Sequence, residues 1–167
     1  LELKQFEQLI ESYCYYNYLC VDGGATRQES VYNALKHCDS DRVLIHETVR
    51  PFVTEDLLQR LVLQDGDCII PCVSKTSTVL YKGEYLDRDK VQCVQLPQVF
   101  DTEKLRVAHE LGRGKSYTDD SSLLQRELGI QPVVIEGLDK NIKITTPLDI
   151  KIAEVIYDEA LGCNWRK

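Results

Sequence analysis

Arg42-Val43-Leu44-Ile45-His46-Glu47-Thr48-Val49-Arg50-Pro51-Phe52 decides the fold. Val43-Leu44-Ile45 is a short apolar run rich in β-branched residues, the mark of a buried strand. It stops at a charged loop, and Thr54 then caps a helix over about 55–63. Strand, charged loop and helix in that order make one βα unit. Working towards the N-terminus, Thr26 stands three residues ahead of Glu29, a capping-box opening. The helix it opens runs to about His37, with Val31, Ala34 and Leu35 inward. Before it, residues 18–21 read as a short strand ending at Asp22-Gly23-Gly24. Leu3, Phe6, Leu9 and Ile10 recur at helical spacing, so 1–13 reads as an amphipathic helix. Towards the C-terminus, 68–73 reads as a second buried strand. Residues 78–81 and 91–95 read as two sides of an extended excursion around Lys82-Gly83-Glu84. Helices follow from Thr102 to about Leu111 and from an Asp119 or Asp120 cap to Leu128. Strands are expected at 132–136 and 141–145, and Pro147 opens a last helix to about Ala160. Alternating strands and helices predict one α/β domain over 1–167 with a mostly parallel sheet flanked by helices.

Composition removes several classes of function. Charged residues are 28% and hydrophobic ones 43% of 167, ordinary for a soluble domain. The net charge is −7 with no block of five like charges, so the basic face of a nucleic-acid binder is absent. The longest uncharged apolar run, 68–73, is far below the ~20 residues that span a membrane. Residues 1–10 carry charges throughout and do not read as a signal peptide. The seven cysteines sit among apolar positions, as buried reduced thiols of a cytoplasmic protein do. Cys68 and Cys72 would share one face of a strand with no His nearby, and no protein metal site is expected. Methionine is absent.

Ligands of such sheets bind beyond the carboxyl ends of the strands, which selects the loops that matter. In Asp22-Gly23-Gly24-Ala25-Thr26, two glycines ahead of a helix suit close backbone approach to a ligand. Ser30, one turn inside, places a hydroxyl where a base edge could be read. The plain alternative is a tight turn with a capped helix. Glu47 and Arg50 at a strand end suit a hydroxyl or a phosphate; the plain alternative is a surface ion pair. Thr118-Asp119-Asp120 is a helix cap with a hydroxyl beside it. Lys143 between Ile142 and Ile144 needs a partner, and a phosphate is a good one.

Gly-Gly-Ala-Thr-Arg-Gln-Glu-Ser-Val, His-Glu-Thr-Val-Arg-Pro-Phe-Val, Leu-Pro-Gln-Val-Phe, Thr-Asp-Asp and Asn-Ile-Lys-Ile-Thr-Thr-Pro-Leu-Asp occur in that order over about residues 21–154. The series resembles the cytidylyltransferases that make CDP-methylerythritol, and the related ribitol-5-phosphate cytidylyltransferases share it. The resemblance implies a Rossmann-like nucleotidyltransferase fold with a protruding β-arm at 76–94. It implies transfer of CMP from CTP to 2-C-methyl-D-erythritol 4-phosphate, with pyrophosphate released, in non-mevalonate isoprenoid synthesis. By similarity Gly23, Gly24, Ala25 and Ser30 hold the nucleotide. Glu47, Arg50 and Lys143 form the catalytic set. Arg88, Thr118, Lys143 and Glu47 hold the alditol phosphate, Arg88 reaching from the arm into a partner subunit. A homodimer, cytoplasmic location and Mg²⁺ carried by CTP are implied as well. His46 reads as structural, because an already ionised phosphate nucleophile needs no general base.

This sequence departs from the pattern in places. Glu47 stands where the family has Asp, one methylene longer, and Leu96 stands where it has Thr. Thr48-Val49 looks more like the ribitol-phosphate branch. The family's opening strand and Gly-rich loop have no counterpart in these residues, and the expectation is a chain that is N-terminally incomplete, its first sheet strand without a partner. The alternatives are a ribitol-5-phosphate enzyme for cell-wall teichoic acid, a catalytically degenerate homologue that only binds nucleotide, and a transferase for another sugar phosphate or base.

Overall fold

The computed structural model describes residues 18–161. The helix expected at 1–13 lies outside them. The elements in chain order are α1 (Arg27–Leu35), β1 (Arg42–Ile45), α2 (Glu55–Leu63), β2 (Cys68–Ser74), β3 (Val79–Tyr81), β4 (Glu84–Leu86), β5 (Gln92–Val94), β6 (Gln98–Asp101), α3 (Thr102–Leu111), α4 (Asp120–Leu128), β7 (Val133–Glu136) and α5 (Pro147–Leu161). The caps are those the sequence offers: Thr26 accepts from the Glu29 amide, Thr54 from Leu57, and Asp119 closes a capping box with Ser122.

β2 organises the main sheet. Cys68, Ile70 and Cys72 point to one face, into a core with Leu35, Phe100, Leu105, Ala108, Leu123 and Leu124. Ile69 points to the other, against Leu57, Leu61 and Val99. Period-2 alternation in an all-apolar strand therefore feeds two cores, one under α1, α3 and α4 and one under α2. β1, β2 and β7 run in one direction and β5 and β6 against them, giving a mixed sheet in the order β1-β6-β2, with β7 parallel to β2 on its far edge. β6 and β5 follow each other along a single edge of β2. Between the pairs Cys68↔Phe100 and Cys72↔Val94, β2 advances four residues and its partner six. Pro71, which has no N–H to give a ladder, lies beside this break, where its carbonyl accepts from Gln95 N. Among the described residues β1 pairs with β6 alone.

Four sequence-level assignments change. Residues 18–21 form no ladder among the described residues. Residues 141–145 are not a strand: Ile144 N donates to Val49 O at 2.8 Å, and the inward Ile142 and Ile144 reflect docking of a loop rather than sheet pairing. Residues 79–81 pair with 84–86, not with 91–95. Lys82 (φ 50°) and Gly83 (φ 89°) both adopt positive φ, as a two-residue type I′ hairpin turn requires. The central β6 was not anticipated as a strand, because Pro97 and the buried polar Gln98 interrupt its apolar signal.

Candidate active site

Ile45 pairs with Gln98, so the loop after β1 and the Gln95–Pro97 break ahead of β6 lie at the same end of the sheet. Glu47 sits two residues past β1. Its Oε1 accepts from Arg50 Nε at 2.7 Å and its Oε2 from Lys143 Nζ at 2.8 Å. Arg50 also donates to the Asn141 carbonyl at 2.7 Å. Lys143 reaches this point because its loop is fixed at several places. Asn141, fully buried, donates to Leu96 O at 2.7 Å, and Gln95 Nε2 donates to Leu138 O at 2.9 Å. Downstream, Asp149 accepts from the Thr145 and Thr146 amides and Thr146 caps α5 in return.

These groups line a cleft of about 420 Å³ together with Thr118, Asp119, Leu96 and Arg27. Four of the residues singled out in the sequence, Glu47, Arg50, Thr118 and Lys143, are thus brought together from three loops. Glu47 is 17% and Lys143 47% exposed, a cleft pair rather than a free surface one. Burial pushes the Glu47 carboxyl up, but hydrogen bonds from Lys143 and Arg50 and their charges bring it below its usual value of 4.5. A carboxylate held this way can accept from ligand hydroxyls, and the two cations beside it can take an anion in its place.

A pH dependence follows from that lowered value. The folded state favours ionised Glu47, so its contribution to stability is complete above the unfolded-state value and fades as pH falls through the folded-state value. The Tm difference between wild type and Glu47→Gln is expected to be constant near neutrality and to shrink as the pH falls below the usual carboxylate value. A difference that stays constant through acidification would show that the carboxylate charge contributes nothing.

His46 is structural, its Nε2 lying 2.9 Å from Arg50 O in the turn after β1. The loop ahead of α1 is held by hydrogen bonds of its own. The Ser30 hydroxyl accepts from Gly24 N at 3.0 Å and donates to Thr26 O at 2.9 Å, and Ala25 N donates to Glu29 Oε2. It shapes the Gly23-Gly24-Ala25 turn from inside. A Cβ on Gly24 would come within 2.2 Å of the Glu29 Cβ, so only glycine fits there. Arg88 stands apart on the arm, 58% exposed, with Nη1 on Thr76 O. The reading of the sequence missed Asn141 and Gln95 as supports of the Lys143 loop; Asn141 was absorbed into the expected strand. It gave Arg27 no role and took Asp120 only as a candidate helix cap, although both lie within the motifs quoted.

Three relatives and one family model match this chain. The chain is 40% identical over 153 residues to 2-C-methyl-D-erythritol 4-phosphate cytidylyltransferase of Trichodesmium erythraeum, covering 84% of this chain and 67% of the relative. It superposes with TM-score 0.82 and 31% identity on 4-diphosphocytidyl-2C-methyl-D-erythritol synthase of Anaerococcus prevotii, covering 93% of this chain and 76% of that one. The same enzyme of Thermus thermophilus, named as a cytidylyltransferase, matches with TM-score 0.75 and 35% identity over 81% and 70% of the two chains. The α/β fold is thus that of a nucleotidyltransferase class. The model of the family described as IspD, 2-C-methyl-D-erythritol 4-phosphate cytidylyltransferase, matches residues 2–159, and this chain belongs to that family.

Proposed function

We propose that this chain transfers the cytidylyl group of CTP to 2-C-methyl-D-erythritol 4-phosphate. A phosphate oxygen of the alditol attacks the α-phosphorus, the bond to the bridging oxygen breaks, and pyrophosphate leaves carrying that oxygen. The observation that carries the reading is the Glu47–Arg50–Lys143 cluster, set in one cleft at the motif positions of this family. Such a reaction needs positioning and charge neutralisation rather than a covalent nucleophile. Lys143 takes the alditol phosphate, releasing Glu47 to accept from the alditol hydroxyls with Thr118 beside it. Arg50, tied to Asn141 O, keeps Glu47 in place during that exchange. Gly23, Gly24 and Ala25 offer the cytosine a backbone surface whose shape Ser30 maintains.

No group of three or more His, Cys, Asp or Glu among the described residues could hold a metal ion. On this reading Mg²⁺ enters as the counter-ion of the CTP phosphates. The β3–β4 hairpin carries exposed Leu80, Tyr81, Tyr85 and Leu86, an apolar tip suited to a second copy of the chain. On this reading the arm over 76–94 makes a homodimer and presents Arg88 to the partner's cleft. Cys38, Cys68, Cys72 and Cys93 form no disulfide among the described residues, which supports a cytoplasmic location. No described helix is long and apolar enough to cross a membrane.

Pyrophosphate release from CTP tests the reading, with 2-C-methyl-D-erythritol 4-phosphate and ribitol 5-phosphate offered separately. The expected result is turnover with the first and at least about tenfold lower kcat/KM with the second. Release with neither would overturn it.

A further inference from the structure

Arg27 is the first residue of α1, directly after the nucleotide loop, and its side chain lines the Glu47 cleft. A cation at a helix N-terminus opposes the helix dipole, so the helix itself gives no reason for it. The reason lies behind it. Its Nη2 donates to Asp120 Oδ2 at 2.5 Å, and Asp120 Oδ1 is 3.1 Å from His109 Nε2. The Asp120 and His109 side chains are 0% and 1% exposed, whereas Arg27 is 41% exposed. Burial pushes the Asp120 carboxyl up, and the contacts from His109 and Arg27 bring it below the usual carboxylate range, so it is a fixed charge.

Among the cations lining the cleft, Arg27 is set apart by this arrangement. Arg50 and Lys143 both spend their charge on Glu47, at the cleft surface. Arg27 has its counter-ion on the protein side, and its remaining guanidinium N–H groups meet no acceptor among the described residues. The nearby carboxylate of Asp119 is occupied by Ser122 N, Gln98 Nε2 and Ser121 Oγ. A guanidinium pinned at one edge by a buried carboxylate and open at the other has little orientational freedom left to lose on binding an oxyanion.

We propose that Arg27 is a further binding residue of this cleft, one that contacts a substrate phosphoryl group, and that Asp120, braced by His109, is its positioning residue. The proposal rests on the cytidylyltransferase reading for the identity of the substrate, but not for the anion chemistry. The phosphoryl group belongs either to the triphosphate of CTP or to the alditol phosphate.

Titration calorimetry with inorganic pyrophosphate and inorganic phosphate, alongside KM for both substrates, tests it on wild type, Arg27→Gln, Arg27→Lys and Asp120→Asn. Arg27→Gln is expected to weaken pyrophosphate binding by at least about tenfold, Arg27→Lys to restore part of it, and Asp120→Asn to fall between. A rise confined to the CTP KM assigns the contact to the triphosphate; a rise confined to the alditol KM assigns it to the other phosphate. If Asp120→Asn does not fold, the two Arg27 variants, changed at a half-exposed side chain, decide alone. Pyrophosphate affinity and both KM values within about twofold of wild type in Arg27→Gln would reduce Arg27 to a structural ion pair, as would a wild type that binds neither anion. A wild type that binds pyrophosphate but turns over neither alditol phosphate would sink the proposed function and leave this one standing.

Discussion

Lys143→Ala is expected to lower kcat/KM for the alditol phosphate by ~10²–10³ while KM for CTP moves by less than about threefold, since removing one preorganised charge donor costs roughly 2.7–4 kcal/mol. Two effects add. The ammonium that takes the phosphate is lost. Glu47 also loses its partner on Oε2 and presents that half of its carboxylate, now unpaired, to the incoming anion. The backbone should survive the change, because the Lys143 loop is held by Asn141, Ile144 and Gln95 rather than by Lys143 itself. Steady-state kinetics with each substrate varied in turn checks this, and Lys143→Arg should recover part of the loss. An equal rise in the KM for CTP would mean that this end of the cleft holds the triphosphate, reversing the assignment of the two substrates.

The second large effect concerns the arm. Arg88→Ala should resemble Lys143→Ala if Arg88 serves a cleft in a second subunit. Each variant alone would be nearly inactive, and their mixture would not be. In a dimer with shared sites, random exchange of the two variants leaves about a quarter of all sites with both residues intact. Activity regained after co-refolding or subunit exchange, at about a quarter of wild type, is the expected outcome. No regain would place Arg88 outside the partner's cleft or the chain outside a dimer of this kind. The hairpin tip is the place to test for an interface, since Tyr85 is 79% exposed there.

Much of this was legible in residue order. Caps at Thr26, Thr54 and Asp119 and the buried run of β2 are local signals, and they place α1, α2, α4 and β2 where they stand. Glu47, Arg50, Thr118 and Lys143 could be gathered because each follows a strand or opens a helix, and the fold class says that such loops converge. The failures all concern long-range pairing. β6 is the middle of the sheet, yet four residues containing a buried Gln carry no periodicity to announce it; Gln98 is tolerated because its amide donates to Gln95 O and Asp119. Residues 141–145 alternate like a strand because a loop laid on Val49 also buries every second residue. The Arg27–Asp120 pair spans 93 residues and has no local signature at all.

Leu96 has a consequence of another kind. The bond that anchors the Lys143 loop at this point runs from Asn141 Nδ2 to the Leu96 carbonyl, an atom every residue type possesses. Leu96 also lines the cleft. The anchoring bond is therefore independent of the side chain carried at this position. The position is free to drift in sequence while the scaffold stays put, which is how a lineage can exchange a hydroxyl for an isobutyl group on the cleft wall and retune what it accepts without first losing the site.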